Sequence, residues 1–336
     1  MASEKSHPIV IKKIRPEEMK QNVAFIFDRL EVADRAAIHE VVFIKPNIFS
    51  PDSADTGATT DLTLLGIVID YFTALGKQVL VGEAGANQFA TTTMFAELGI
   101  QEFCRAHAAE FLDLNRTPAK PIELVIKGKR RQFLAPEPLL APNFLVDLPK
   151  FKTHLSTRVS WAIKNLYGLL PDKEKWRGHQ LGIHETLLAL SQRFPVDLVL
   201  TDAIVAMKGM GPTLGIPDRK NLLIGAHDQF VHDWGLLQLL KISHVPHIEN
   251  CIDGRPLNIE YQFLGEDGEA VDREALRLDL HVPPLLFAHV FIRSNWLQFT
   301  LAPKVERFFD PKILMRAQGN AHFVRFMRNV QKSLGV

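Results

Sequence analysis

The sequence predicts an α/β fold with a mainly parallel sheet flanked by helices. Short, continuous apolar runs alternate with longer segments of helical periodicity, which is the pattern of strands joined by helical crossovers. Polar residues follow directly after several of these apolar runs. The chain has 336 residues, enough to bury a large core in one domain or in two lobes.

The predicted elements follow one another in strand–helix–strand order. Strands are predicted at residues 41–44, 78–81, 110–114, 144–148, 197–201, 221–224 and 258–264, and helices at 60–75, 91–99 and 228–240. The run Val41 to Ile44 is apolar at every position, as expected for a strand that is covered on both faces. This order predicts a Rossmann-like sheet, which binds its ligands beyond the carboxyl ends of its strands.

Prolines crowd the segment at residues 135–143, which predicts a boundary between lobes. We therefore expect an N-terminal α/β lobe at 1–140, a second α/β part at 141–255, and a strand with an apolar helical tail at 256–336. The tail includes an apolar run at 283–303 and a basic amphipathic stretch at 323–334. We expect residues 283–336 to be buried or to contact another copy or a partner protein, with contact at a membrane surface as the alternative.

The composition excludes several classes of function. Lysine and arginine total 39 against 38 acidic residues, so no positive field draws the chain to nucleic acid. The sequence shows no signal peptide and no apolar stretch long enough to span a membrane, and we expect a soluble, cytoplasmic protein. Its two cysteines, Cys104 and Cys251, are too few for a disulfide framework or an iron–sulfur cluster.

The densest group of candidate functional residues lies between residues 148 and 179. Lys150 and Lys152 are two positions apart, so an extended segment would direct both ammonium groups to one side, with His154 next in the row. Lysine binds phosphates and carboxylates, and it becomes a base when its pKa is lowered. We predict catalytic roles for Lys150, Lys152, His154 and Lys164, and ligand contacts for Asn165 and Lys175. The alternative is a solvated basic loop.

Polar residues at two other strand ends are further candidates. Lys45 and Asn47 flank Pro46, and Thr60 and Asp61 open a helix whose free amides favour an anion, so we predict ligand contacts for these four residues. Ordinary helix capping is the alternative for Thr60 and Asp61. Glu83 lies in a glycine-rich turn and is an acid/base candidate, or else a plain turn residue.

Two weaker patterns remain. The sequence GMGPTLG at 209–215 would allow the backbone to approach a ligand closely, so Gly209, Gly211 and Pro212 are predicted ligand contacts, with a surface loop as the alternative. His179, Asp202 and Asp233 are candidate ligands of a divalent metal, although their spacing matches no established metal motif. Satisfied surface or core residues are the alternative for this set.

These motifs resemble the family labelled domain of unknown function 362. The resemblance is carried by FIKPN at 43–47, TTD at 59–61, VGEAG at 81–85, LPKFKTH at 148–154, AIKNLYGLLPDKEK at 162–175 with His179, TDAIVAMKGMGPTLG at 201–215, and Asp233. Some members of that family carry ferredoxin-like iron–sulfur modules, whose cysteines this chain lacks. The opening elements are also similar, at the level of fold alone, to the N-terminal domain of nickel-pincer lactate racemases, but the clustered histidines of those enzymes are missing.

The predicted function is that of a soluble enzyme acting on a small anionic metabolite, which bears a phosphate or a carboxylate. Its substrate would lie in a lysine-lined cleft at the carboxyl ends of the strands. Acid/base chemistry is expected, with metal-assisted or redox chemistry as options, and isomerase, lyase and oxidoreductase remain unranked. The alternative is a noncatalytic accessory protein that binds a metal or cofactor or delivers it to a partner enzyme.

Overall fold

The computed structural model of the protein describes residues 6–86, 91–252, 257–265 and 273–278. The apolar run at 283–303 and the basic stretch at 323–334 lie outside the described residues. The predictions of a helical tail, of its partner contacts and of a membrane-surface contact therefore stay predictions.

Twelve strands are found in the described ranges: β1 (His7–Lys13), β2 (Val41–Pro46), β3 (Gln78–Glu83), β4 (Glu110–Asp113), β5 (Ala119–Ile126), β6 (Lys129–Pro136), β7 (Phe144–Leu148), β8 (Lys150–His154), β9 (Arg158–Ser160), β10 (Leu198–Lys208), β11 (Ile216–Ala226) and β12 (Ile259–Leu264). The same ranges contain ten α-helices: α1 (Met19–Arg29), α2 (Val32–Ala36), α3 (Leu62–Ala74), α4 (Thr91–Glu97), α5 (Ile100–Ala106), α6 (Ala162–Asn165), α7 (Asp172–Leu181), α8 (Ile183–Arg193), α9 (Gln229–Leu240) and α10 (Pro246–Glu249). Short 3₁₀ helices lie at Pro16–Glu18, Ala54–Thr56, Glu137–Leu139, Leu166–Leu169 and Arg273–Leu276.

Ten of the strands form one sheet. Eight follow the order β12-β1-β11-β10-β7-β2-β3-β4, while β8 pairs with β10 and β9, and β5 and β6 form a separate hairpin. From β4 to β10 all neighbours are parallel, whereas β11 is antiparallel to both β10 and β1. The prediction of a mainly parallel α/β sheet is therefore confirmed.

The chain changes direction across the sheet at β2. Strands β3 and β4 are added on one side of β2, whereas β7 and then β10 lie on its other side. Strands β2 and β7 are direct neighbours, with Lys45 opposite Asp147. In open α/β sheets such a switch point leaves a crevice outside the carboxyl ends of the strands, which is the usual place for a ligand.

Both faces of this sheet are covered. Val42 and Ile44 pack in the core beneath α1, α3 and α5, whereas Phe43, which points the other way, packs in a second core with α8 and α9. The inner face of the β5–β6 hairpin joins this second core through residues such as Ile122 and Phe133. Burial on both faces explains why the parallel strands have no polar alternation in sequence.

Several predicted boundaries differ from the observed ones. The helix predicted at 60–75 begins at Leu62 rather than Thr60, because the carboxylate of Asp61 accepts hydrogen bonds from the backbone N–H groups of Thr63 and Leu64, at 2.7 and 3.3 Å. The helix predicted at 91–99 ends at Glu97, and Gly99, with φ of +60°, precedes a second helix. The elements that were not predicted include strand β1, the β5–β6 hairpin and helices α1, α7 and α8.

Residues on both sides of the predicted lobe boundary contribute strands to the one sheet, since β7 lies between β2 and β10. The division into segments 1–140, 141–255 and 256–336 stays a prediction. None of the helices in the described ranges is long and apolar enough to cross a membrane.

Candidate functional site

Five lysines gather at the carboxyl ends of β2, β3 and β7. They are Lys45, Lys150, Lys152, Lys164 and Lys175, and we call the space that they surround the lysine crevice. Lys45 and Lys150 are 0% exposed and Lys152 is 1% exposed, which is rare for lysine unless the charge is paired. The prediction that residues 150–154 are extended is confirmed by β8, in which the lysines alternate with Phe151 of the core.

Glu83 and Lys45 form a buried ion pair, with 2.7 Å between Oε2 and Nζ. The same oxygen accepts the N–H of Ile48 at 3.0 Å, and Oε1 accepts the N–H groups of Ala84 and Gly85 at 2.9 and 3.2 Å. Four donors occupy the acceptor positions of this carboxylate. Glu83 therefore joins the ends of β2 and β3, and its acid/base role stays a prediction.

Gly168 lies directly against this ion pair. A Cβ atom at this position would be 2.4 Å from Oε1 of Glu83 and 2.7 Å from Nζ of Lys45. The carbonyl of Gly168 also accepts the N–H of Ala84 at 3.1 Å. Glycine is therefore required for the 3₁₀ turn at Leu166–Leu169 to cover the pair. Sequence reasoning missed this role, although the NLYG segment contained the residue.

Asn165 connects the two strands of the switch point. Its Nδ2 donates to Oδ1 of Asp147 at 2.7 Å and to the carbonyl of Lys45 at 3.2 Å, while its Oδ1 accepts Nδ2 of Asn47 at 2.7 Å. Asp147 is completely buried, and its Oδ2 has no hydrogen-bond partner among the described residues. Burial raises the pKa of Asp147 well above its ordinary value, against the opposing charge of Lys45. Asp147 was also missed, although an acid within the apolar run FLVDL was a usable signal.

The predicted anion seat at the start of α3 is already occupied by the protein's own carboxylates. Asp202 accepts the backbone N–H of Asp61 and Nζ of Lys150, both at 2.8 Å. Asp61 caps the helix itself, and the hydroxyl of Thr60 donates to the carbonyl of Leu148 at 2.9 Å. Thr60 and Asp61 therefore hold α3 against the sheet, as the capping alternative expected, and their contact with a ligand stays a prediction.

Lys152 is buried without a carboxylate in ion-pair distance among the described residues. Its Nζ donates to Oδ1 of Asn47 at 2.7 Å and to the carbonyl of Ala58, and it lies 4.0 Å from the centre of the Phe49 ring. Burial, and then the charges of Lys150 and Lys164, lower the pKa of Lys152 well below its ordinary value. Its environment thus offers neutral dipoles and an aromatic face but no anion.

Lys164 is also without an acidic partner in the part of the chain that is described. Its Nζ lies 4.9 Å from the centre of the Tyr167 ring, and no hydrogen bond or ion pair accompanies this contact. Burial, with the charges of Lys175 and Lys45, lowers the pKa of Lys164 to about 8. Lys175 differs, because its Nζ donates to the carbonyl of Gly85 and lies 3.4 Å from Oδ1 of Asp172.

The charge of Lys164 acts on three imidazoles, those of His154, His179 and His247, which we call the crevice histidines. Burial and then the charge of Lys164 lower the pKa of both His154 and His179, in His179 to about 3. The pKa of His247 is lowered well below its ordinary value by burial, then by His184 and Lys164. All three are therefore neutral at neutral pH. His247 was not predicted, because it lies far from the lysine motif in sequence.

The predicted metal ligands do not come together. Among the described residues no three His, Cys, Asp or Glu side chains are arranged to hold a metal ion. Asp202 pairs with Lys150 as described above. Asp233 accepts the backbone N–H groups of Ala162 and Ile163 at 3.1 and 2.9 Å, so it fixes the start of the helix that carries Lys164.

The loop containing Gly209, Gly211 and Pro212 packs against β8. A Cβ atom on Gly211 would lie 1.9 Å from the carbonyl oxygen of Thr153, and the carbonyl of Gly211 accepts the N–H of Leu155 at 3.0 Å. Gly209 has φ of +75°, and the peptide bond between Gly211 and Pro212 is cis. The close approach predicted for these glycines is made to the protein's own strand, and contact with a ligand stays a prediction.

Comparison with known proteins finds one named relative and a family. Over 107 residues the chain is 31% identical to thylakoid-associated protein sll1697 from Synechocystis sp., a match that covers 30% of this chain and 33% of that protein. The chain thus aligns with about a third of the length of this relative. The predicted likeness to lactate racemases is not shown by these comparisons. A family model described as a domain of unknown function (DUF362) matches residues 42–237, which is more than half of the chain, and the protein therefore belongs to that family.

Proposed function

We propose that the protein is an enzyme that binds a small anionic metabolite, bearing a phosphate or a carboxylate, in the lysine crevice. The observation that carries this proposal is the lack of a carboxylate partner for Lys152 and Lys164 among the described residues. An ammonium ion that is removed from water without a counter-charge is destabilised by several kcal/mol. This penalty applies in full to Lys152, which is 1% exposed, and in part to Lys164, which is partly exposed. An anion between these two lysines would offset that penalty, and the switch point of the sheet is the expected place for it.

Proton transfer next to this anion is the chemistry that the crevice supports. A pKa of about 8 lets Lys164 gain or lose a proton near neutral pH, as a general acid or base requires. His154 is neutral, and its Nδ1 accepts the N–H of Ser156 at 3.1 Å, which leaves the proton on Nε2. Lys45, Glu83 and Asn165 hold the surrounding strands in place without being consumed in the step.

The proposal is tested by the affinity for inorganic phosphate and for a small carboxylate, measured by isothermal titration calorimetry. Lys164→Met removes the ammonium group and keeps most of the side chain. Lys173→Met is the matched control, since Lys173 is exposed on α7. We expect Lys164→Met to weaken binding about tenfold or more and Lys173→Met to leave it within about twofold, because only a desolvated charge contributes strongly.

Equal affinities in the two variants and the unmodified protein would remove Lys164 from the site. Failure of both anions to bind the unmodified protein would contradict the proposal directly. Native mass spectrometry of the freshly purified protein complements the titration, because a retained metabolite would give the class of the natural ligand without a guess at the substrate.

The cytoplasmic location expected from the sequence remains part of the proposal. The relative from Synechocystis is named as thylakoid-associated, which makes contact with a membrane surface the alternative worth measuring for this chain. Co-sedimentation with anionic vesicles that salt weakens would favour the membrane surface, whereas no co-sedimentation would favour the cytoplasm. Contact with another copy through residues 283–336 is proposed as well, and its measure is the mass in solution.

A further inference from the structure

Two histidines outside the lysine motif form a close pair. Nδ1 of His184, on α8, lies 3.0 Å from Nδ1 of His247, on α10. Two neutral imidazoles approach in this way when one Nδ1 carries a hydrogen and the other offers a lone pair. The pair therefore shares one proton. His247 lies beyond residues 42–237, the range that the family model matches.

The two rings differ in their access to water. His247 is 1% exposed, whereas His184 is partly exposed. Nε2 of His247 is buried and has no hydrogen-bond partner among the residues that the structure describes. A buried polar atom without a partner is destabilising, so a group that binds to this nitrogen would be favoured.

Electrostatic coupling and helix packing connect His247 with the lysine crevice. The charge of Lys164 lowers the pKa of His247, and His247 in turn lowers that of His154. Helix α10 packs on α8, and α8 packs on α6, the helix that carries Lys164. The relay proposed below requires a ligand held by Lys164 to reach the buried side of His247.

We propose that His247 and His184 form a proton relay between the ligand in the lysine crevice and the solvent. This inference rests on the proposed function, because the ligand that Lys164 holds is the one that exchanges the proton. It deepens that function by favouring reactions in which a proton leaves the ligand and one is later returned.

The relay moves one proton in three transfers. His247 begins with its hydrogen on Nδ1, and His184 begins with its hydrogen on Nε2. Nε2 of His247 takes a proton from the ligand, the Nδ1 hydrogen of His247 passes to Nδ1 of His184, and the Nε2 hydrogen of His184 passes to water. One proton has moved from ligand to solvent, and both rings are neutral again.

The end state is also the start state for the reverse direction. His184 now carries its hydrogen on Nδ1, and His247 presents an Nε2 hydrogen to the ligand. The next transfer therefore returns a proton to the ligand while His184 takes one from water. This alternation suits isomerases that remove a proton and later return one, and we favour them among the reaction classes that the sequence left open.

The electrostatic surroundings agree with neutral rings. Burial is the largest effect that lowers the pKa of His247, followed by the charges of His184 and Lys164. Burial also lowers the pKa of His184, while Glu185 acts in the opposite direction. Both rings are therefore neutral before and after the three transfers, and a positive charge on either ring is only transient.

The first experiment needs no ligand. In protein labelled with ¹⁵N-histidine, NMR reports the tautomer of each ring and the rate at which its hydrogens exchange with water. We expect one Nδ1 of the pair to carry the shared hydrogen and the other to carry none. Both rings with hydrogen on Nε2, and no shared hydrogen, would overturn the proposal.

The second measurement separates a relay from a purely structural pair. His184→Phe removes the outer ring's nitrogens, and His184→Asn keeps a hydrogen-bonding group near the position of Nδ1. We expect the imidazole hydrogen of His247 to exchange with water at least about tenfold more slowly in His184→Phe, with partial recovery in His184→Asn. Equal exchange rates in all three proteins, at equal thermal stability, would overturn the relay.

Inorganic phosphate distinguishes the relay from the proposed function. We expect phosphate to shift the Nε2 resonance of His247 in the unmodified protein and much less in the Lys164→Met variant. If phosphate binds nowhere, the proposed function fails while the exchange rates still decide whether the pair conducts protons. If phosphate binds and the exchange rates are unchanged by His184→Phe, the relay alone is overturned.

Discussion

Replacing Glu83 by glutamine is expected to destabilise the protein strongly, although the side chain keeps its shape. Both carboxylate oxygens accept hydrogen bonds, so either orientation of the amide would direct an NH₂ group at existing donors. The substitution also leaves the completely buried ammonium group of Lys45 without its counter-charge. Removing one partner of a buried ion pair typically costs about 3–5 kcal/mol.

The size of this effect is measurable by urea unfolding and by thermal melting. For a chain of this size about 1 kcal/mol corresponds to roughly 2 °C, so Glu83→Gln should lower Tm by roughly 6 to 10 °C. The double variant Lys45→Met/Glu83→Gln removes both charges. We expect it to be less destabilised than the sum of the two single variants, by about 1–3 kcal/mol, because neither partner of this ion pair is left behind as an unpaired charge.

Two outcomes would refute this reasoning. A loss of less than about 1 kcal/mol in Glu83→Gln would show that Lys45 is neutral or finds another partner. Additive effects in the double variant would show that the two side chains do not depend on each other. Lys127 and Glu185, an exposed pair 3.3 Å apart, are the matched control, for which little coupling is expected.

Three further predictions follow from the lowered and raised pKa values. The free energy of unfolding should decrease as pH falls below about 6.5, because the crevice histidines have a lowered pKa only in the folded protein, and the unfolded chain therefore binds more protons. A free energy of unfolding by urea that stays constant between pH 7.5 and 5 would contradict this. Phosphate affinity should decrease as pH rises through about 8, since Lys164 then loses its charge; calorimetry at a series of pH values checks the midpoint. Burial raises the pKa of Cys104 and Cys251 to about 12, so both thiols should resist alkylation by iodoacetamide at neutral pH in the folded protein and react once it is unfolded. Mass spectrometry of the intact protein would count the alkyl groups added in each state.

The main elements of the sheet could be predicted from local patterns alone. Residues 144–148 were predicted as a strand and form β7 with the same bounds, because a strand buried on both faces has an unbroken apolar run. Strand β10, by contrast, extends to Lys208 rather than residue 201, since pairing with β11 continues where the apolar pattern gives no separate signal. The hairpin of β5 and β6 was not predicted, because only one of its faces packs against the core and the charged residues of its other face resemble a surface loop.

The candidate site was predicted in part, and for a specific reason. Lysines placed after strand ends indicated a cleft, because parallel strands end at the same edge of a sheet. Which lysine is paired could not be predicted, since partners such as Glu83 and Asp202 come from strands distant in sequence from Lys45 and Lys150. His247 gave no local signal at all.

The sequence by itself determined the fold class, the family and the concentration of lysines at one edge of the sheet, because apolar periodicity and motif spacing are local properties of the chain. Only the tertiary structure decided which charges are compensated. Lys152 and Lys164 differ from Lys45 and Lys150 in lacking a carboxylate among the described residues, and that difference arises from strand order and register. Pairing a charge inside a protein depends on contacts over distances of a few ångströms, which residues far apart in sequence make only when the chain has folded.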